Sequence, residues 1–194
     1  GEGIDQVVAA ARACADGLLA GGVLPVLKHI PGYGRAAVDS HLELPRVRAV
    51  RALLEARDFA PFRALADLSM GMTAHVVFDA IDARRPCTIS PEGIRVIREG
   101  IGFDGLLMTD DIGMEALSGS MADRTRESLA AGVDVVLHCK GDREGMEQVA
   151  GAASPLAGRA LERAARALAL RRMPEPTDLS ALVEEIADLL PEGA

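Results

Sequence analysis

The sequence has no apolar run approaching the roughly 20 residues that a membrane-spanning helix needs, and no basic-then-apolar signal segment at its start. It begins at Gly1 rather than methionine, so an upstream segment, with any signal in it, is left open. It has no surplus of positive charge. A net charge of -8 argues against a polyanion-binding surface, because nucleic acid attracts clustered Lys and Arg. Cysteine is scarce: Cys14, Cys87 and Cys139 are odd in number and form no CxxC pair. That argues against a disulfide framework and a zinc ribbon, and buried free thiols in a reducing compartment are expected. No GxGxxG follows a strand, which removes the dinucleotide-binding reading. What is present is 194 residues, 49% hydrophobic and 26% charged, enough for one soluble globular domain.

Helical and strand periods alternate along it. Ile4 to Ala20 reads as an amphipathic helix stopped by Gly21-Gly22, and VLPVLKH follows as a buried strand. PRVRAVRALLEAR is expected to be helical, MTAHVVF a strand, and PEGIRVIREG a helix capped by Ser90 with Pro91 in its first turn. GLLMTDD, MADRTRESLAAG and VDVVLHC read as strand, helix and strand. Two helices, LAGRALERAARALAL and LSALVEEIADLL, are expected to close the chain around a linker at Pro174 and Pro176. Apolar strands alternating with helices imply an α/β protein with a parallel, helix-covered sheet.

Ionisable residues recur where these strands end: Lys28-His29, His75, Asp110-Asp111 and His138-Cys139. In a (β/α)8 TIM-type barrel such ends converge on one face, where active sites lie. About four strands are counted, so the expectation is the second half of a barrel. Residues 1–173 would form it, 174–194 would add a C-terminal helix packed on it, and the N-terminal half would be absent.

Three motifs, KHIPGYGRAAVDSH, MTAHVVFDAID and GFDGLLMTDDIGMEAL, occur in that order. Over about residues 20–140 they resemble family three glycoside hydrolases, and within them the bacterial β-N-acetylglucosaminidases of peptidoglycan recycling. The resemblance implies that Asp110 is the nucleophile, His41 the general acid/base and Asp39 its partner. It implies that Lys28 and His29 bind sugar hydroxyls. It also implies a cytoplasmic retaining enzyme that takes muropeptide glycosides and needs no cofactor or metal. Tyr33 stands where the family pattern has histidine.

The residues agree with those roles unaided. A retaining glycosidase needs an attacking carboxylate and a proton donor, and histidine can give and take a proton near neutrality. Asp39 and His41 lie two apart on an extended segment, and Gly32 and Gly34 are expected to let the loop bring the pair in and withdraw it. Neighbouring strand residues point to opposite sides, so Asp110 and Asp111 are not expected to face a sugar together. The sequence alone does not choose between them. The resemblance chooses Asp110.

Other readings are weighed beside this one. Phosphorolysis differs only in the acceptor, since a histidine repels phosphate less than a carboxylate does. Metal-dependent hydrolysis would gather His29, His41, His75 and Asp110, but the HxxxH spacing that supports such sites is absent. A half barrel could also be a non-catalytic module, pairing with itself or with its missing half, because it exposes strand edges. His75 and His138 read as structural histidines, and the arginines from Arg159 to Arg172 as a solvated helix face.

Overall fold

Four of the apolar runs become the strands of one parallel sheet in the computed structural model, which describes residues 3–40 and 42–189. The strands are β1 (Val26–Ile30), β3 (Met70–Thr73), β5 (Leu106–Asp111) and β6 (Val135–Leu137), in the order β1-β3-β5-β6. Val26 pairs with Met70, Met72 with Met108, and Met108 with Val135, so the carboxyl ends lie at one edge. A second, two-strand parallel pair joins β2 (Arg46–Val47) to β4 (Val77–Phe78) beyond those ends. The architecture is the parallel α/β type of TIM-barrel proteins.

The helices are α1 (Ile4–Ala20), α2 (Arg51–Leu53), α3 (Ala60–Ala64), α4 (Pro91–Arg95), α5 (Met121–Ala131), α6 (Arg143–Ala152), α7 (Gly158–Ala169) and α8 (Leu179–Leu189). Wider turns, Leu54–Asp58 and Val96–Ile101, extend α2 and α4. Ser90 caps α4 by accepting the Gly93 N–H at 3.1 Å. Ser120 and Asp123 form a reciprocal capping box at the start of α5.

The core lies where Ile30, Leu54, Phe59, Ile97, Phe103 and Leu107 pack, each fully or almost fully buried. Gly71 is required in the middle of β3. A Cβ there would sit 2.7 Å from Phe103 Cζ and 2.8 Å from Ile30 Cδ1.

Three expectations are corrected. The PRVRAVRALLEAR segment is not helical throughout. Val47 is buried and ladders with Phe78, and the Pro45 carbonyl accepts the Val77 N–H at 2.9 Å, so tertiary pairing overrides the helical period up to Val50. MTAHVVF is not one strand. The ladder ends at Thr73, and the backbone re-pairs only at Val77–Phe78. Residues 143–152, given no element in the sequence reading, form α6 under an Asp142 cap.

The arginine face is also only partly solvated. Arg159, Arg163 and Arg166 converge on Asp104, and Arg163 and Arg98 clasp Asp134 at 3.0 and 2.7 Å beneath the sheet. Arg172 Nε and the Glu175 N–H donate to the Leu19 and Ala20 carbonyls, returning the chain to the end of α1. Every described residue of α8 is exposed.

Candidate active site

β1 and β5 are second neighbours in the sheet, with β3 between them, so their axes stand about 10 Å apart. Two side chains close that gap. His29, near the end of β1, brings Nε2 to 3.4 Å from Oδ2 of Asp110, near the end of β5. They meet at the carboxyl end of the sheet, where the intervening β3 stops at Thr73. Both are partly exposed, 31% for the His29 side chain and 20% for Asp110, so a ligand can reach each of them.

The two adjacent carboxylates have different surroundings. Asp110 folds back so that its Oδ1 accepts the Asp111 N–H at 2.9 Å, leaving Oδ2 toward His29. Asp111 turns to the other side, and its Oδ1 accepts the N–H groups of Gly113 at 2.9 Å and Cys139 at 3.1 Å. It thereby staples the end of β5 to the loop that follows and to the end of β6. Asp110, by contrast, keeps its Oδ2 toward His29.

Below them, His75 is fully buried. One ring nitrogen, Nε2, lies 3.0 Å from the Asp111 carbonyl, and Nδ1 lies 2.7 Å from Thr88 Oγ1, itself 2.8 Å from Thr73 Oγ1. A carbonyl only accepts, so Nε2 carries a proton toward Asp111, and the Thr88 hydroxyl, which donates to the Ala74 carbonyl at 3.2 Å, stands within reach of both Nδ1 and the Thr73 hydroxyl. Burial pushes His75 below the ordinary histidine range, against the Asp111 carbonyl and the charges of Asp110 and Asp111, which favour its protonated form. A neutral ring therefore holds the Asp111 carbonyl, which also accepts the Met114 N–H at 3.2 Å. Arg124 braces the same loop, donating to the carbonyls of Ile112, Met114 and Gly119.

The loop after β1 is pinned before it reaches Asp39. The Tyr33 hydroxyl donates to the Val38 carbonyl at 3.2 Å and accepts the Ser40 N–H at 2.8 Å, closing residues 33–40 into a ring. Arg35 Nε forks onto both oxygens of Asp58 at 2.8 and 2.9 Å. The Tyr33 ring stands 6.1 Å from that of His29. The expected loose tether is thus a braced segment ahead of Asp39, whose carbonyl begins a turn by accepting the Leu42 and Glu43 N–H groups. Asp39 is exposed on this loop, and His41 lies outside the described residues. Lys28 is exposed beside His29, and both line a groove of about 420 Å³ with Tyr33, Asp58 and Phe62. The peptide bonds Lys28–His29 and Ile30–Pro31 are cis.

His29 and Asp110 are brought together, while Lys28 adjoins His29 on β1 and Asp39 lies on the loop that follows. The sequence reading did not assign work to Tyr33, Thr88, Asp111 or Arg124. Their partners lie on other segments, and only the position of Tyr33 in the glycine loop signalled a role.

Fold and site together define a barrel-type α/β protein with ionisable groups gathered at the carboxyl ends of parallel strands. Residues 1–169 match the family model described as the glycosyl hydrolase family 3 N terminal domain, and the chain belongs to glycoside hydrolase family 3. It is 44% identical over 140 residues to the β-hexosaminidase of Methylococcus capsulatus, a match that covers 70% of this chain and 42% of that protein. The β-hexosaminidase of Alkalilimnicola ehrlichii is likewise 44% identical, with 70% of this chain and 40% of that one covered. Among solved structures, NagZ from Neisseria gonorrhoeae in complex with N-trifluoroacetyl-D-glucosamine superposes with a TM-score of 0.71 at 33% identity. That match covers 82% of this chain and 47% of the other. The chain therefore spans less than half the length of these relatives.

Proposed function

We propose that the protein carrying this chain is a retaining exo-β-N-acetylglucosaminidase that removes terminal N-acetylglucosamine from peptidoglycan fragments. The observation that carries the reading is the division of labour at the end of β5. Asp110 has His29 at 3.4 Å, and Asp111 is committed to backbone amides. The relatives named above, β-hexosaminidases and a NagZ holding an N-acylated glucosamine analogue, support the substrate class.

In this mechanism Asp110 attacks the anomeric carbon while the protonated His41 gives its proton to the departing glycosidic oxygen, and Asp39 orients the imidazole. A glycosyl ester on Asp110 results. His41, now neutral, takes a proton from water as that water attacks the same carbon, which releases the sugar and restores both groups. Lys28 and His29 hold sugar hydroxyls, and His29 also orients the Asp110 carboxylate. The proposed setting is the cytoplasm. The sugar's other side would be gripped by a complementary barrel half or by a second copy of the chain.

The test is hydrolysis of a nitrophenyl β-N-acetylglucosaminide by the intact protein, with the first-formed anomer read by NMR. The β anomer is expected. First appearance of the α anomer, or no release of nitrophenol, contradicts the reading.

A further inference from the structure

His138 follows β6 directly, with only 5% of its side chain exposed and both ring nitrogens shut off from solvent. Among the described residues neither nitrogen has a partner in good hydrogen-bond geometry, yet each faces a carboxylate. Nδ1 lies 3.8 Å from Asp111 Oδ1, and Nε2 lies 3.3 Å from Asp142 Oδ2. A neutral imidazole has one N–H and one lone pair, so it must turn the lone pair toward one of these anions. Only the doubly protonated ring offers an N–H to both.

The surroundings are shaped to this ring. Asp142 caps α6 with its Oδ1, which accepts the Gly145 N–H at 2.7 Å and leaves Oδ2 for His138. Gly145 leaves room, since a Cβ there would meet Nε2 at 2.7 Å. The Gly145 N–H first, then the charges of Lys140 and His138, hold the Asp142 carboxyl below the usual carboxylate range. The charged groups about the ring are thus Asp111 on β5 and Asp142 at the start of α6. Lys140 stands beside Asp142, and Asp110 near the adjacent Cys139.

We propose that His138 is a positioning residue: protonated, it clamps Asp111 to Asp142 and so fixes the end of β5 that presents Asp110. The oxygen of Asp111 that it faces is the one that accepts the Gly113 and Cys139 N–H groups, so the clamp acts on the staple between β5 and β6. His138 touches no substrate in this account. Its catalytic consequence rests on the reading of Asp110 as nucleophile, but the clamp itself does not.

Two measurements on the intact protein test it separately. In the first, the ring nitrogens of ¹⁵N-labelled histidine and the amides of Gly113 and Cys139 are followed by NMR against pH, His138 being assigned by H138Q. Both amides are expected to shift with the midpoint of His138 in the wild type and to lose that component in H138Q. Amides that stay still while the ring titrates, or that shift equally in H138Q, overturn the clamp whether or not the protein hydrolyses sugars. In the second, H138Q and D142N are assayed, asparagine still being able to cap α6. Each is expected to lower kcat about tenfold, the equivalent of one charge-assisted hydrogen bond, with KM nearly unchanged and the alkaline limb of the pH profile altered. Wild-type kcat and an unaltered profile in both variants overturn the positioning role.

Discussion

His29 Nε2 and Asp110 Oδ2 meet at 3.4 Å across the end of an intervening strand, β3. This is possible because the β3 ladder stops at Thr73 and the chain then turns toward Thr88 and Asp111 through His75.

Replacing His29 with alanine removes a partner of Asp110 and a proposed contact to the sugar. The expected loss in kcat/KM is about 10- to 100-fold, the range for a hydrogen bond to a charged group. Steady-state kinetics checks it, with circular dichroism showing an unchanged fold.

Asp111→Ala is expected to act chiefly on stability. It deprives the Gly113 and Cys139 N–H groups of a charged acceptor, at a cost of about 1–3 kcal/mol in denaturant unfolding. Stability equal to wild type would mean that the staple carries no energy.

His75 predicts a pH dependence with a definite sign. Its folded value lies below that of an unfolded histidine, so the unfolded chain binds the extra proton first. The neutral ring's contribution is whole above about pH 6.5 and is lost progressively as pH falls below that. H75Q should flatten this part of a plot of unfolding free energy against pH. An unchanged slope between about pH 5 and 7 would refute the assignment.

Tyr33→Phe keeps the ring beside His29 and removes the hydroxyl that joins Val38 to Ser40. Two modest hydrogen bonds are lost, each about 0.5–1.5 kcal/mol, and both lie in the loop that leads to Asp39 and His41. The expected result is faster hydrogen exchange at Ser40 and a several-fold lower kcat, with global stability nearly unchanged. Exchange at Ser40 as slow as in wild type would contradict the bracing role.

Below the sheet, a hydrogen bond from Arg163 and the charges of Arg163, Arg166 and Arg159 bring the Asp104 carboxyl from 3.8 down to about 2. The folded value is depressed, so its contribution is complete above the unfolded value and disappears as pH falls from about 4 toward 2. D104N should melt lower than wild type at neutral pH, and the gap should narrow below about pH 4 and close near about pH 2. A gap that persists in acid would place the effect elsewhere.

Much of this was legible in the residues. The α1 period from Ile4 to Ala20, the Ser90 cap and the apolar run ending at Asp110 are local signals, and the folded chain honours them. What sequence does not display is pairing between distant segments. Val47 reads as helical until Phe78 is beside it, and Thr88 and Arg124 are unremarkable until the end of β5 lies next to them. The choice between Asp110 and Asp111 was of this kind. Their identities are the same, and the amides of Gly113 and Cys139 distinguish their surroundings. Helix α6 was hidden because it is short and carries two glycines, Gly145 and Gly151, which weaken a helical signal.

The most direct test of the central claim is covalent trapping. A 5-fluoro N-acetylglucosaminide that forms the ester quickly and releases it slowly is incubated with the intact protein, and the modified peptide is sequenced by mass spectrometry. The sugar is expected on Asp110, with labelling abolished in D110N and retained in D111N. A label on Asp111, or a protein that turns over substrate yet never carries the sugar, would contradict the account.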